Sequence, residues 1–123
     1  LGGIKTMLIP VYDTADEYLD GEPSSEKETE LGEDAAEGLF WFRMPDKSME
    51  PLIKENEYVL FRETKKLGEV GTVALVALGD ELLVRHLDYA KDSLWLKPEN
   101  PEFETKTFMG VSLRRAKLQA VRV

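Results

Sequence analysis

The chain has 123 residues, of which 24 are acidic and 16 are basic, giving a net charge of −8, and it contains no cysteine. This length is enough for one domain with its own hydrophobic core. The lack of cysteine excludes a disulfide framework, a thiolate nucleophile and a cysteine–zinc site. No apolar run approaches the roughly 20 residues that span a bilayer. We therefore expect a cytoplasmic protein without membrane contact, metal or other cofactor.

The amino-terminal part combines one predicted strand with an acidic segment. Residues 8–12 favour a strand, which Pro10 would confine to a sheet edge because proline cannot donate to a ladder. Residues 13–37 hold 11 acidic side chains and one basic side chain, whereas the rest of the chain holds 13 acidic and 15 basic. A segment with so few large apolar groups cannot offset the entropy lost on ordering, so we predict an exposed, mobile loop. We take 1–38 as an edge strand plus acidic loop and 39–123 as the main β domain.

The main domain is predicted to be mostly β, as a sandwich or partly closed barrel of short strands. A Gly-Asp pair at Gly79 and Asp80 separates two apolar runs and indicates a tight hairpin. The only helical signal is one turn over residues 49–54. No run of Lys and Arg interleaved with aromatic residues indicates a DNA-binding surface. The predicted strands are 39–44, 57–62, 72–78, 81–87, 93–97 and 117–123.

Ser48 stands between two predicted strands, in the sequence Ser48-Met49-Glu50-Pro51. The local sequence favours a helix cap, in which the serine side chain bonds the amides that follow it. A serine at a turn that proline fixes is also a reasonable position for an exposed nucleophile. The wider pattern is needed to decide between these two interpretations.

That wider pattern resembles the LexA-like Ser–Lys self-cleaving peptidase domain of transcriptional repressors, which is related to UmuD and signal peptidase. The Ser-Met-x-Pro turn is followed by a Gly-rich strand entry, by a hairpin similar to one ending in Val-Lys-Arg-Leu, and by a segment similar to Leu-x-Pro-Glu-Asn-x-x-Phe. An upstream segment resembles the family's Ala-Gly-Glu-Pro cleavage region. In this chain the segments are 46–60, 68–74, 79–87, 94–103 and 20–23.

The resemblance implies a catalytic nucleophile at Ser48, with Met49, Pro51, His86 and Asn100 as supporting motif residues. The lysine that would act as its base falls on Arg85. A buried lysine can lose its proton and accept one from serine. Arginine stays protonated and has no lone pair to offer, so it is a poor substitute for that base. His86 is adjacent, but successive residues of a strand point to opposite faces, so we expect it to lie away from Ser48.

The implied cleavage site, Asp20-Gly21, departs from the family pattern because a small apolar residue usually precedes the glycine. An ionised carboxylate is costly to bury unless it is paired. Arg85 is a candidate partner, which would hold the loop docked and uncut. Two further candidate bonds, Ala15-Asp16 and Ala36-Glu37, do not match the family's position.

The resemblance implies a regulatory and dimerisation domain of a LexA-like repressor of the SOS-response type, with self-cleavage lost or weakened. Dimerisation would use the C-terminal strands, and a RecA-like coprotease is a further expected partner. DNA would be bound by a helix-turn-helix upstream of Leu1, consistent with a chain that begins Leu1-Gly2-Gly3. A competing hypothesis is an active self-cleaving peptidase that uses Ser48 with His86 or a displaced lysine as base. Two less favoured hypotheses are a signal-peptidase relative and a plain β binding module.

Overall fold

Nine strands form one mixed sheet in the computed structural model, which describes residues 3–32 and 37–123. The strand order is β2-β1-β3-β4-β9-β5-β6-β7-β8, and the sheet is not closed. All neighbours are antiparallel except β1 and β3. The mostly-β prediction is confirmed. The elements are β1 Ile4–Tyr12, α1 Ala15–Asp20, β2 Ser25–Gly32, β3 Leu39–Arg43, β4 Tyr58–Glu63, β5 Val73–Leu78, β6 Glu81–Ala90, β7 Ser93–Lys97, β8 Lys106–Met109, a 3₁₀ helix Gly110–Arg115 and β9 Ala116–Arg122.

Strand β5 separates two hydrophobic cores. Its odd-numbered residues from Val73 face one core, which includes Phe40 and Phe61, and its even-numbered residues face the other. A strand covered on both faces needs apolar side chains at successive positions, which explains its unbroken apolar sequence. The second core contains Leu87, Leu96 and Phe108 among others. The site described below lies where strand β6 passes between these cores.

The predicted strands of the main domain are all present, with small shifts at their ends. Gly79 adopts a left-handed conformation with φ of 62°, as a tight β-hairpin between β5 and β6 requires. The sequence patterns did not indicate β8 or the 3₁₀ helix that follows it. Each element is short, and β8 buries only Phe108, so neither shows a clear repeat of apolar residues in the sequence.

The prediction that residues 13–37 form a mobile loop is wrong for the part that the structure describes; residues 33–36 lie outside it. Strand β2 pairs with β1 from Val11↔Ser25 to Ile4↔Gly32, so one side of its backbone is hydrogen-bonded in a ladder. On one face Trp41 donates to Thr29 through Nε1 at 3.0 Å, while the glutamates alternate onto the other face. A strand needs only one packed face, and the acidic composition gave no indication of that pairing.

The prediction that Pro10 places its strand at a sheet edge is also wrong. β1 lies between β2 and β3, and β2 forms the edge. The ladder to β3 includes only Val11 and Tyr12, so Pro10 lies beyond its end on that side. A proline is therefore tolerated in this inner strand.

Helix α1 lies within the acidic segment and packs against the first core through the aromatic side chain of Tyr18. Thr14 caps its start by accepting from the Glu17 amide at 3.1 Å, and Gly21 ends it in a left-handed conformation. The Tyr18 ring lies 4.9 Å from that of Phe40, measured between centroids. Burial raises the pKa of Tyr18 to about 12, with smaller contributions from Glu63 and Tyr12, so its phenol stays neutral.

We expect Tyr18→Ala to lower the free energy of unfolding by about 1–3 kcal/mol, because it removes the principal aromatic contact of α1 with the core. Urea unfolding measures the change. The control is Leu19→Ala in the same helix, since Leu19 is 40% exposed. An equal loss in both variants would show that Tyr18 does not anchor the helix.

Candidate functional site

Ser48 lies in a turn between β3 and β4 and is completely buried. Its amide donates to Asp46 Oδ1 at 3.0 Å, and the Ile53 amide donates to the Met49 carbonyl at 2.8 Å, closing one helical turn. Met49 and Ile53 are fully buried in the first core and hold the turn against the sheet, whereas Pro51 is exposed. The Ser48 hydroxyl does not cap this turn, because it bonds to a side chain from β6 instead.

That side chain is Arg85. Its Nη1 donates to Ser48 Oγ at 2.7 Å and to the Val84 carbonyl at 2.9 Å. Arg85 is only 4% exposed, and its guanidinium carbon lies 5.9 Å from the centre of the Phe103 ring. The structure therefore brings together the two residues that the resemblance places at the nucleophile and lysine positions.

The charge on Arg85 is not neutralised by a direct ion pair. Within the described residues the contacts at ion-pair distance are Lys97–Asp88 and, if the imidazole is protonated, His86–Glu99; Arg85 takes part in neither. Its buried Nε has no hydrogen-bond partner in residues 3–32 and 37–123. Burial lowers the pKa of the Arg85 guanidinium below its ordinary value, and the more distant carboxylates of Asp46 and Glu81 act in the opposite direction.

The direction of the Arg85–Ser48 hydrogen bond is the reverse of the one that catalysis needs. A general base accepts the proton of the serine hydroxyl through a lone pair. The guanidinium has only donors, so here the serine oxygen accepts. Arg85 occupies the position of a base and supplies a hydrogen-bond donor.

Asn100 holds the Ser48 turn from the other side. Its amide donates to the Ser48 carbonyl at 2.9 Å, and its side-chain Nδ2 donates to the Lys47 carbonyl at 3.0 Å. The same side chain accepts from the Glu102 amide at 3.0 Å. With Phe103 next to Arg85, this segment covers the buried pair, which explains why Ser48 has no exposed surface.

His86 lies away from Ser48. Its Nε2 is 3.0 Å from Glu99 Oε1, and its Nδ1 is 3.0 Å from the Gly71 carbonyl oxygen. Both partners are hydrogen-bond acceptors, so the ring donates through the nitrogen that carries its proton. Because Glu99 precedes Asn100, this contact links β6 to the segment that holds Ser48. The sequence patterns did not indicate this link, since Glu99 lies 13 residues from His86.

The implied cleavage site lies elsewhere in the fold. Asp20 is the last residue of α1, Gly21 is its cap, and both are exposed. In residues 3–32 and 37–123, no hydrogen bond or ion pair joins either residue to Ser48 or Arg85. Asp20 and Arg85 therefore do not compensate each other as the sequence suggested. Ala36 lies outside the described residues.

The family model described as Peptidase S24-like matches residues 7–118, which is most of the chain. The chain belongs to the Peptidase S24-like family. This is the family of LexA-type C-terminal domains that the motif order indicated. No individual curated protein matches the sequence. Ser48 and Arg85 both lie inside the region that the family model matches.

Two more findings concern the described part of this S24-like domain. No helix there is long and apolar enough to cross a membrane. No group of three or more His, Cys, Asp or Glu side chains in it is arranged to hold a metal ion.

We expect Arg85→Ala to lower the free energy of unfolding by about 2–4 kcal/mol. The change removes buried packing and leaves the Ser48 hydroxyl without its partner. Chemical denaturation followed by circular dichroism gives the value. The exposed Arg62 provides the control, and Arg62→Ala should change stability by no more than about 0.5 kcal/mol. A negligible effect of Arg85→Ala would mean that the buried bond does not hold the site together.

Proposed function

We propose that this S24-like domain is the regulatory and dimerisation domain of a LexA-like transcriptional repressor, with self-cleavage lost or severely weakened. Membership of the family supports the LexA-like part of the proposal. Such a domain is linked to a DNA-binding domain and makes the protein dimeric. A dimer is needed because two DNA half-sites are each bound by one DNA-binding domain. We also propose a cytoplasmic location, because a repressor has to reach DNA.

The observation that carries the loss of cleavage is the buried hydrogen bond from Arg85 Nη1 to Ser48 Oγ at 2.7 Å. It occupies the serine oxygen with a donor, and no lysine amine stands in the position of the base. The arrangement of the cleavage region agrees with this. Asp20 and Gly21 end a capped helix, and an attack on their peptide bond would require that helix to unfold and move to Ser48.

Dimerisation through the C-terminal strands would use side chains, not a shared ladder. β9 lies inside the sheet and pairs with β4 and β5, so its backbone is already occupied over most of its length. Exposed groups that such a contact could use include Arg122 and Val123. We propose that a helix-turn-helix in the same longer protein contacts DNA. A RecA-like coprotease would act only on a form of the domain that still cleaves itself.

The test is incubation of the purified chain at alkaline pH, followed by intact mass spectrometry for a product that ends at Asp20. We expect the native chain to remain whole. The double variant Arg85→Lys with Asp20→Ala should cut itself, because a lysine that loses its proton on burial restores the base and alanine restores a small apolar residue before Gly21.

Ser48→Ala in the double-variant background is the control and should abolish any cutting. Cleavage of the native chain after Asp20 that disappears in Ser48→Ala would overturn the proposal and favour the active peptidase with a different base. A folded double variant that stays whole would also count against it, since the substituted base would then not be what prevents cleavage.

A further inference from the structure

Four cationic side chains meet at one end of the sheet, although the chain carries a net charge of −8. Lys106 begins β8, Arg114 and Arg115 end the 3₁₀ helix, and Lys117 is the second residue of β9. We call these four residues the basic cluster. They line one concavity of about 510 Å³, which the turn between β5 and β6 borders on its other side. The four side chains come from β8, the 3₁₀ helix and β9, and their positions in the sequence are at most 11 residues apart.

No carboxylate neutralises the basic cluster directly. None of its four side chains forms an ion pair, or donates a hydrogen bond, within the part of the chain that the structure describes. Among the described residues, Glu81 is the one acidic residue that lines the concavity. The site therefore has an excess of three positive charges. Like charges gathered on one surface repel one another and create a potential that attracts an anion.

The helix end accounts for only part of the basic cluster. Arginines in the last turn of a helix interact favourably with its free carbonyl groups. That explanation covers Arg114 and Arg115 but not Lys106 or Lys117, which lie on strands. Arg115 also packs over the Phe108 ring at 5.9 Å, which leaves the donor edge of its guanidinium available.

We propose that the basic cluster binds a ligand with a run of adjacent phosphate groups, such as a nucleoside triphosphate or an inorganic polyphosphate. The planar fork of arginine matches the oxygens of phosphate, and lysine adds a compact charge. Several cations around one small concavity suit an anion whose charges are close together. The exposed carboxylates of Glu26, Glu28 and Glu30 in a second copy are a poorer match, because alternate residues of a strand are about 6.8 Å apart.

The test is calorimetric titration of the full chain with sodium tripolyphosphate at low salt. We expect saturable binding that weakens as salt rises. Arg114→Ala with Lys117→Ala should weaken it about ten-fold or more, because each lost charge-assisted hydrogen bond is worth at least that factor. Lys66→Ala with Lys91→Ala removes the same charge from exposed positions outside the concavity and should retain the affinity within about two-fold. Melting curves confirm that both variants fold.

Parallel titrations separate the sources of the anion. ATP that binds as tightly as tripolyphosphate indicates recognition of the phosphates alone, and tighter binding of ATP indicates a nucleotide; both support the proposal. No binding by the native chain would overturn it, and so would equal weakening in both double variants. Tighter binding of a peptide with the sequence of residues 24–32 would also overturn it, in favour of contact with a second copy.

Discussion

The buried hydrogen bond between Arg85 and Ser48 is the interaction on which the rest of the site depends. It joins β6 to the turn after β3, and both residues are almost entirely removed from water. An unpaired charge is costly to bury, and here hydrogen bonds, the Phe103 ring and distant carboxylates offset that cost. The segment containing Asn100 and Phe103 must therefore remain closed over the guanidinium for the arrangement to persist.

The same interaction shows how an arginine at position 85 differs from the lysine that the family resemblance places there. A lysine at position 85 would supply a lone pair once its proton was lost, whereas arginine supplies only donors. The longer guanidinium reaches Ser48 Oγ and the Val84 carbonyl together, so it ties the turn to the strand. The hydrogen bonds of Arg85 therefore link β6 to the turn that contains Ser48.

Much of the fold could be predicted because its pattern is local. Strand β7 alternates buried and exposed side chains, and the Gly79-Asp80 pair marks a hairpin turn, so both were recognisable. The meeting of Ser48 and Arg85 followed from the order of the motifs. The burial of that pair could not be read in the same way, because it depends on how Asn100 and Phe103 fold over it from a distant part of the chain.

The acidic segment shows why composition misled. Charge density reflects how many groups need hydration. It carries no information about the hydrogen bonds between β1 and β2 or about the aromatic contacts between Tyr18 and the core. One packed face was enough to order a segment whose opposite face is covered with glutamates. Long-range pairing decided the structure there, as it did for the cations of the basic cluster.

The most direct measurement of the central claim is the reactivity of Ser48 with a fluorophosphonate, a reagent that labels activated serines. The native chain and trypsin would be treated in the same solution, and adducts located by peptide mass spectrometry. The account predicts that trypsin is labelled and that Ser48 is not, because its oxygen is buried and accepts a hydrogen bond from Arg85. An adduct on Ser48 of the folded native chain would contradict it.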